Sequence, residues 1–194
     1  RIITEFKAIR FAYKLYEGIE ATNENLLFEV RNQILAYASI YEAVIENVLN
    51  SYYSDTVEFD SLMHHIIPMK ISIPQSKQDI LQNVLSHDGK VIVPFYYTRK
   101  RKEKPQVRFD EKCRTAEGLG LIHKFINDDG VEIDLPSEII EIYSYRNGIH
   151  IIAEQRKGIN YELDLSKKAY RRMRPFIDQL KDKLIQDGKI QINY

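Results

Sequence analysis

The sequence predicts a mainly α fold, an up-and-down helical bundle into which one small β-hairpin is inserted. Three observations carry that expectation. Leu27, Val30, Ile34, Ala38, Tyr41, Ile45, Val48 and Tyr52 form a near-heptad apolar stripe over about Glu24 to Tyr53, the pattern of a long helix buried along one side. Ala169, Met173, Phe176 or Ile177, Leu180 and Leu184 repeat the pattern near the end of the chain. Between them, Lys90 to Thr98 (KVIVPFYYT) is the clearest strand, rich in β-branched and aromatic residues.

Composition narrows the classes. With 194 residues and 44% hydrophobic content, the chain suits a single domain, 1–194, with a substantial core. Lys+Arg and Asp+Glu both number 28, so no overall field draws the protein to nucleic acid or to a membrane. Any contact with RNA must come from local patches. One cysteine, Cys113, cannot make an internal disulfide, and no signal peptide or long apolar run is visible. The expectation is a cytoplasmic protein with no membrane partner. The start at Arg1 rather than methionine suggests a fragment, from which another domain could have been removed.

Taken in order, Ile2 to Glu20 places Ile2, Phe6, Ile9, Tyr13 and Tyr16 at helical spacing, and Thr22 or Asn23 caps the long helix that follows. In that helix Glu42 lies beside the apolar stripe, about 80° from Ile34. It can support a buried basic partner or simply extend to water. Ser54 to Pro74, punctuated by Asp55, Asp60, Pro68 and Pro74, reads as short helical or irregular pieces. His64-His65 has no Cys or H-x-x-x-H companion, and no metal or other cofactor is expected. Gln75 to Leu85 is a short helix. The strand follows, with Pro94 confining it to an edge, and Val107 to Phe109 is its expected return partner in a hairpin of about 90–109.

That hairpin would carry Arg99, Lys100, Arg101 and Lys102 at its tip. Basic side chains neutralise phosphates, and Tyr96 and Tyr97 beside them can stack on bases, so this run is a candidate RNA-binding loop; its bland alternative is a solvated tip. Phe109 to Gly118 is a short helix, and Leu119 to Ile126 either continues it or breaks at the glycines. Asn127 to Gly130 is a turn. The closing helix starts at Asp164 or Ser166 and ends before Gly188, with Pro175 marking a kink or its true start. Lys168, Arg171 and Arg172 crowd its first half and are candidate RNA contacts. KIQINY, at the end, alternates like a strand that joins the hairpin edge.

The remaining helix, Ser137 to Ala153, holds the chemistry. At about 100° per residue, Ile139, Ile142, Tyr143, Arg146, Ile149, His150 and Ala153 fall within one arc of about 120°. Arg146 and His150 thus sit on an apolar face, an expensive place for a charge without a partner. The sequence Arg146-Asn147-Gly148-Ile149-His150, entered from a helix rich in isoleucine and tyrosine, resembles the motif of the HEPN domains, helical ribonuclease and nucleotide-binding modules. The usual interval in that family is longer than Asn147-Gly148-Ile149, yet i and i+4 still share one helix face. Ile34 to Ala43 is similar to the long early helix of the same domains.

The resemblance implies a metal-independent endoribonuclease acting on RNA as a homodimer, in a toxin or antiphage defence system. Arg146, His150 and Asn147 would be catalytic and Glu42 supporting. His150 has the titration range for proton transfer and Arg146 the fork for a phosphate. Some relatives are toxins whose antitoxin modifies a tyrosine two residues after the histidine; here that position is Ile152, although an antitoxin or partner domain of another kind stays open. Two other classes remain. One is a catalytically inert HEPN-like module that binds a nucleotide or a protein. The other is a scaffold bundle in which Glu42 clamps Arg146.

Overall fold

The computed structural model describes residues 3–4, 7–8, 23–84, 90, 94–147 and 163–191. Its elements are α1 (Asn23–Tyr52), α2 (Val57–Leu62), β1 (His64–Lys70), α3 (Gln75–Val84), β2 (Phe95–Arg101), a 3-10 turn (Lys104–Gln106), α4 (Phe109–Gly118), β3 (Phe125–Ile126), β4 (Glu132–Ile133), α5 (Leu135–Asn147) and α6 (Leu163–Gln186). The fold is mainly α with a small antiparallel β element, as the periodicities require. Helix-period stripes on α1, α5 and α6 face one another, and a single core fills the space between them and α4. Tyr37, Tyr41, Ile45 and Leu49 of α1, Ile139 and Ile142 of α5, and Phe176 of α6 are all at most 1% exposed.

Buried polar groups fix the helix register. Tyr41 sends its hydroxyl 2.8 Å to the Ala169 carbonyl, and its ring meets Phe176 edge-on at 4.9 Å. Ser166 donates to Gln33 in the same layer. A buried hydroxyl without such a partner would cost about 1–3 kcal/mol, so these bonds select one register of α6 on α1. α6 runs unbroken through Pro175, which is therefore neither its start nor its end. Burial of Met173 and Phe176 on either side holds the turn despite the missing N–H.

α4 ends at Gly118, and the chain breaks there rather than continuing. Gly120 takes φ +73°, a left-handed conformation open to glycine, and the Leu121 N–H then reaches back to the Ala116 carbonyl at 2.8 Å. This reversal turns Leu121 and Ile122 into the core, where both are fully buried. The Asn127 to Gly130 turn closes the two-residue ladder β3–β4, with Asn127 Oδ1 accepting from the Val131 N–H at 2.8 Å.

The larger β element departs from the sequence expectation. β2 pairs with β1, from His64↔Arg101 to Lys70↔Phe95, whereas Val107 to Phe109 forms a bend and the start of α4. β1 escaped notice because HHIIPMK has neither alternation nor a clean apolar run. A ribbon exposed on most of its surface imposes no such pattern, and both its strands are edges where Pro68 is tolerated. The basic run is consequently at the base of the ribbon and on a strand, not at a hairpin tip. Lys189 to Gln191 form no strand either; Lys189 N–H bonds the Leu184 carbonyl at 2.9 Å, closing α6. The expected helix over 2–20 lies mostly outside the described residues, and its described parts, 3–4 and 7–8, are helical.

Candidate functional site

α5 begins at Leu135, two residues ahead of the stretch Ser137 to Ala153, and 148–153 of that stretch lie outside the described residues. Asp134 caps it, Oδ1 accepting from the Ser137 N–H at 3.1 Å, and Pro136 occupies its first turn. The helix then buries Leu135, Ile139 and Ile142 completely and carries Tyr143 and Arg146 along the rim of the core. Arg146 is thus a rim residue, its side chain 34% exposed, rather than a member of the buried face.

Glu42 of α1 meets it there. Arg146 Nη1 donates to Glu42 Oε2, Tyr143 donates its hydroxyl to Glu42 Oε1 at 3.0 Å, and Arg146 Nη1 lies 3.3 Å from the Tyr143 hydroxyl. The guanidinium also sits over the Tyr143 ring, 5.3 Å from its centre. Burial, followed by the Glu42 hydrogen bond, raises the Tyr143 pKa, so the phenol stays a donor at neutral pH. The contacts with Glu42 and Tyr143 engage Nη1 alone, leaving Nε and Nη2 of the fork outside that triad. Tyr143 could have been found in the sequence as the i−3 neighbour of Arg146.

Beside the triad opens a cavity of about 630 Å³ between α1, α4 and α5. Its floor is the stacked pair Phe109 and Tyr143, 4.1 Å apart at 28°. Glu42, Glu46, Asp110, Arg108 and Lys112 line it, with Lys112 Nζ tied to Glu46 at 2.7 Å and Arg108 Nε to Asp110 at 3.0 Å. His150 lies outside the described residues, as does the side chain of Asn147.

Comparison of the chain with protein-family models, with curated proteins and with solved structures finds no match. The site therefore stands on its own residues.

The other predicted residues are divided by their partners. Lys168 bonds Glu141 at 2.7 Å, and Arg172 binds Glu138, so both fasten α6 to α5. Arg171 is exposed beside them and carries no ion pair among the described residues. In the basic run Arg99 pairs with Asp60 of α2 and Lys102 with Glu111 of α4 at 2.7 Å, while Lys100 and Arg101 have no ion-pair partner among the described residues. These sites, on the ribbon and α6, are separate from the Arg146 triad. His64 turns its Nδ1 to the Asp60 carbonyl at 2.7 Å. No group of three or more His, Cys, Asp or Glu among the described residues could hold a metal ion, and no helix among them is long and apolar enough to cross a membrane.

Proposed function

We propose that the chain is a HEPN-type, metal-independent endoribonuclease that acts as a homodimer in a toxin or antiphage system. The observation that carries the reading is the Glu42–Arg146–Tyr143 triad, which holds a guanidinium beside a cavity that Glu42 and Tyr143 line, four residues ahead of His150 in the sequence. In such a site the 2′-hydroxyl attacks the adjacent phosphorus, the bond to the 5′-oxygen breaks, and a cyclic phosphate forms. Arg146 supplies positive charge to the phosphorane through its outer N–H groups. His150 takes the proton from the 2′-hydroxyl or returns one to the leaving oxygen, and Asn147 orients the fork or the nucleotide. One histidine does not do both jobs at once, so a second protomer completes the cleft.

The same triad favours one rival, the scaffold bundle in which Glu42 clamps Arg146. An arginine already neutralised by Glu42 is what a structural clamp needs. Assembly separates the two. Arg146→Ala and His150→Ala, each inactive alone with an unchanged circular dichroism spectrum, should regain RNA cleavage when mixed if each cleft draws one residue from each chain. If each cleft uses two histidines, the mixture stays inactive, and diluting the wild type below its dimer dissociation constant abolishes turnover. Purified protein that never cuts RNA leaves the scaffold bundle and the inert module in place; a demonstrated monomer with full activity rejects the shared cleft.

A further inference from the structure

The pairing of β1 with β2 sorts the exposed side chains of the ribbon. Directly opposed residues of an antiparallel pair stand on the same face, and alternate residues of one strand do too. Phe95, Tyr97, Arg99 and Arg101 of β2 therefore form one row, opposite Ile66 and Pro68 of β1. Tyr96, Thr98 and Lys100 look the other way. The first face is the more open: Ile66 is 71%, Tyr97 67% and Phe95 51% exposed, whereas Ile67 and Thr98 of the second are half-buried.

Two large rings in water are costly, and here they touch edge-to-face at 5.3 Å while both stay more than half exposed. Along the same row stand two guanidiniums. Neither strand contains an aspartate or glutamate, while Lys70, Arg99, Lys100 and Arg101 are all cationic. Asp60, at the base, offsets Arg99 in part. An apolar protein surface would cover the rings and leave the arginines unmatched. A polynucleotide satisfies both, because every base offers a π face and every phosphate an anion. Its bases must be unpaired to reach the rings, since in a duplex those faces are already stacked.

We propose that this face of the ribbon binds single-stranded RNA, Phe95 and Tyr97 stacking on bases while Arg99 and Arg101 hold the backbone. The choice of RNA over DNA rests on the ribonuclease reading; the stacking and charge do not. The ribbon would then deliver a strand to the bundle from its base, where β1 follows α2 directly.

The test uses fluorescence anisotropy with labelled, single-stranded 2′-O-methyl RNA of mixed sequence, which lacks the attacking hydroxyl and is not cut. The full chain should bind it at least about tenfold more tightly than the same sequence as a duplex. The double substitution Phe95→Thr, Tyr97→Thr should weaken binding about tenfold or more. Arg101→Gln should lower the slope of log K against log salt by about 0.7. Tyr96→Thr, the same chemistry on the other face, should leave the affinity within about twofold, and threonine is at home on a strand. Equal losses from Tyr96→Thr, duplex bound as well as single strand, no binding by the wild type, or DNA bound tenfold more tightly would each overturn the proposal. So would sedimentation showing that Phe95 and Tyr97 instead drive self-association with RNA affinity unchanged. Cleavage of unmodified RNA is scored separately: binding with this pattern but no cleavage rejects the nuclease alone, and cleavage without the pattern rejects the ribbon alone.

Discussion

At Arg146 the competition is between two anions for one guanidinium. Glu42 holds Nη1, and a phosphate approaching Nε and Nη2 meets a cation already half neutralised. Glu42→Gln keeps the shape and removes the rival charge. On the nuclease reading it should tighten RNA binding and steepen the salt dependence by about 0.7, while cleavage slows because the fork is no longer oriented. A pure clamp predicts loss of stability by about 1 kcal/mol and no change in RNA affinity, which thermal melts and anisotropy together distinguish. Glu42 was legible as a partner for a basic residue from its angle on α1. Tyr143, the second arm of the triad, stood on the same arc at i−3 from Arg146, but helical angle says nothing of where a phenol hydroxyl ends.

The helices show why the bundle could be read and the ribbon could not. Burial on one side writes a 3.6-residue period into α1, α5 and α6. The β1–β2 pairing joins segments far apart in sequence, with few buried residues to write a pattern, so nothing local announced it. Asp134→Ala should destabilise α5 by about 1 kcal/mol, seen as a lowered Tm, and should do so whether or not the protein cuts RNA. Acid should loosen the same elements. Hydrogen bonds from Lys168 and Tyr145 hold the Glu141 carboxyl below its usual range, and those from Lys183 and Tyr53 do the same for Asp187. A depressed folded pKa adds stability above the unfolded value of about 4, and that contribution is lost as pH falls through the folded value. The Tm should be flat from pH 7 to about 5 and fall below about 4, and Glu141→Gln should make the fall shallower.

For the molecule as a whole, one core serves every helix that touches the triad, so damage far from Arg146 reaches it through stability. Ile142→Ala removes a fully buried side chain of α5 from the common core and should cost about 3 kcal/mol, a large share of the roughly 5–15 kcal/mol that holds a domain together. The chain supplies its own gauge of that loss. Cys113, its sole cysteine, is fully buried on α4, and burial drives its thiol pKa upward. A maleimide or disulfide reagent meets it only when α4 lifts away. When reclosing outruns the reagent, the labelling rate divided by that of an unstructured thiol equals the fraction of time the bundle is open. Ile142→Ala should quicken labelling roughly a hundredfold, whereas changes confined to the ribbon should leave the clock untouched.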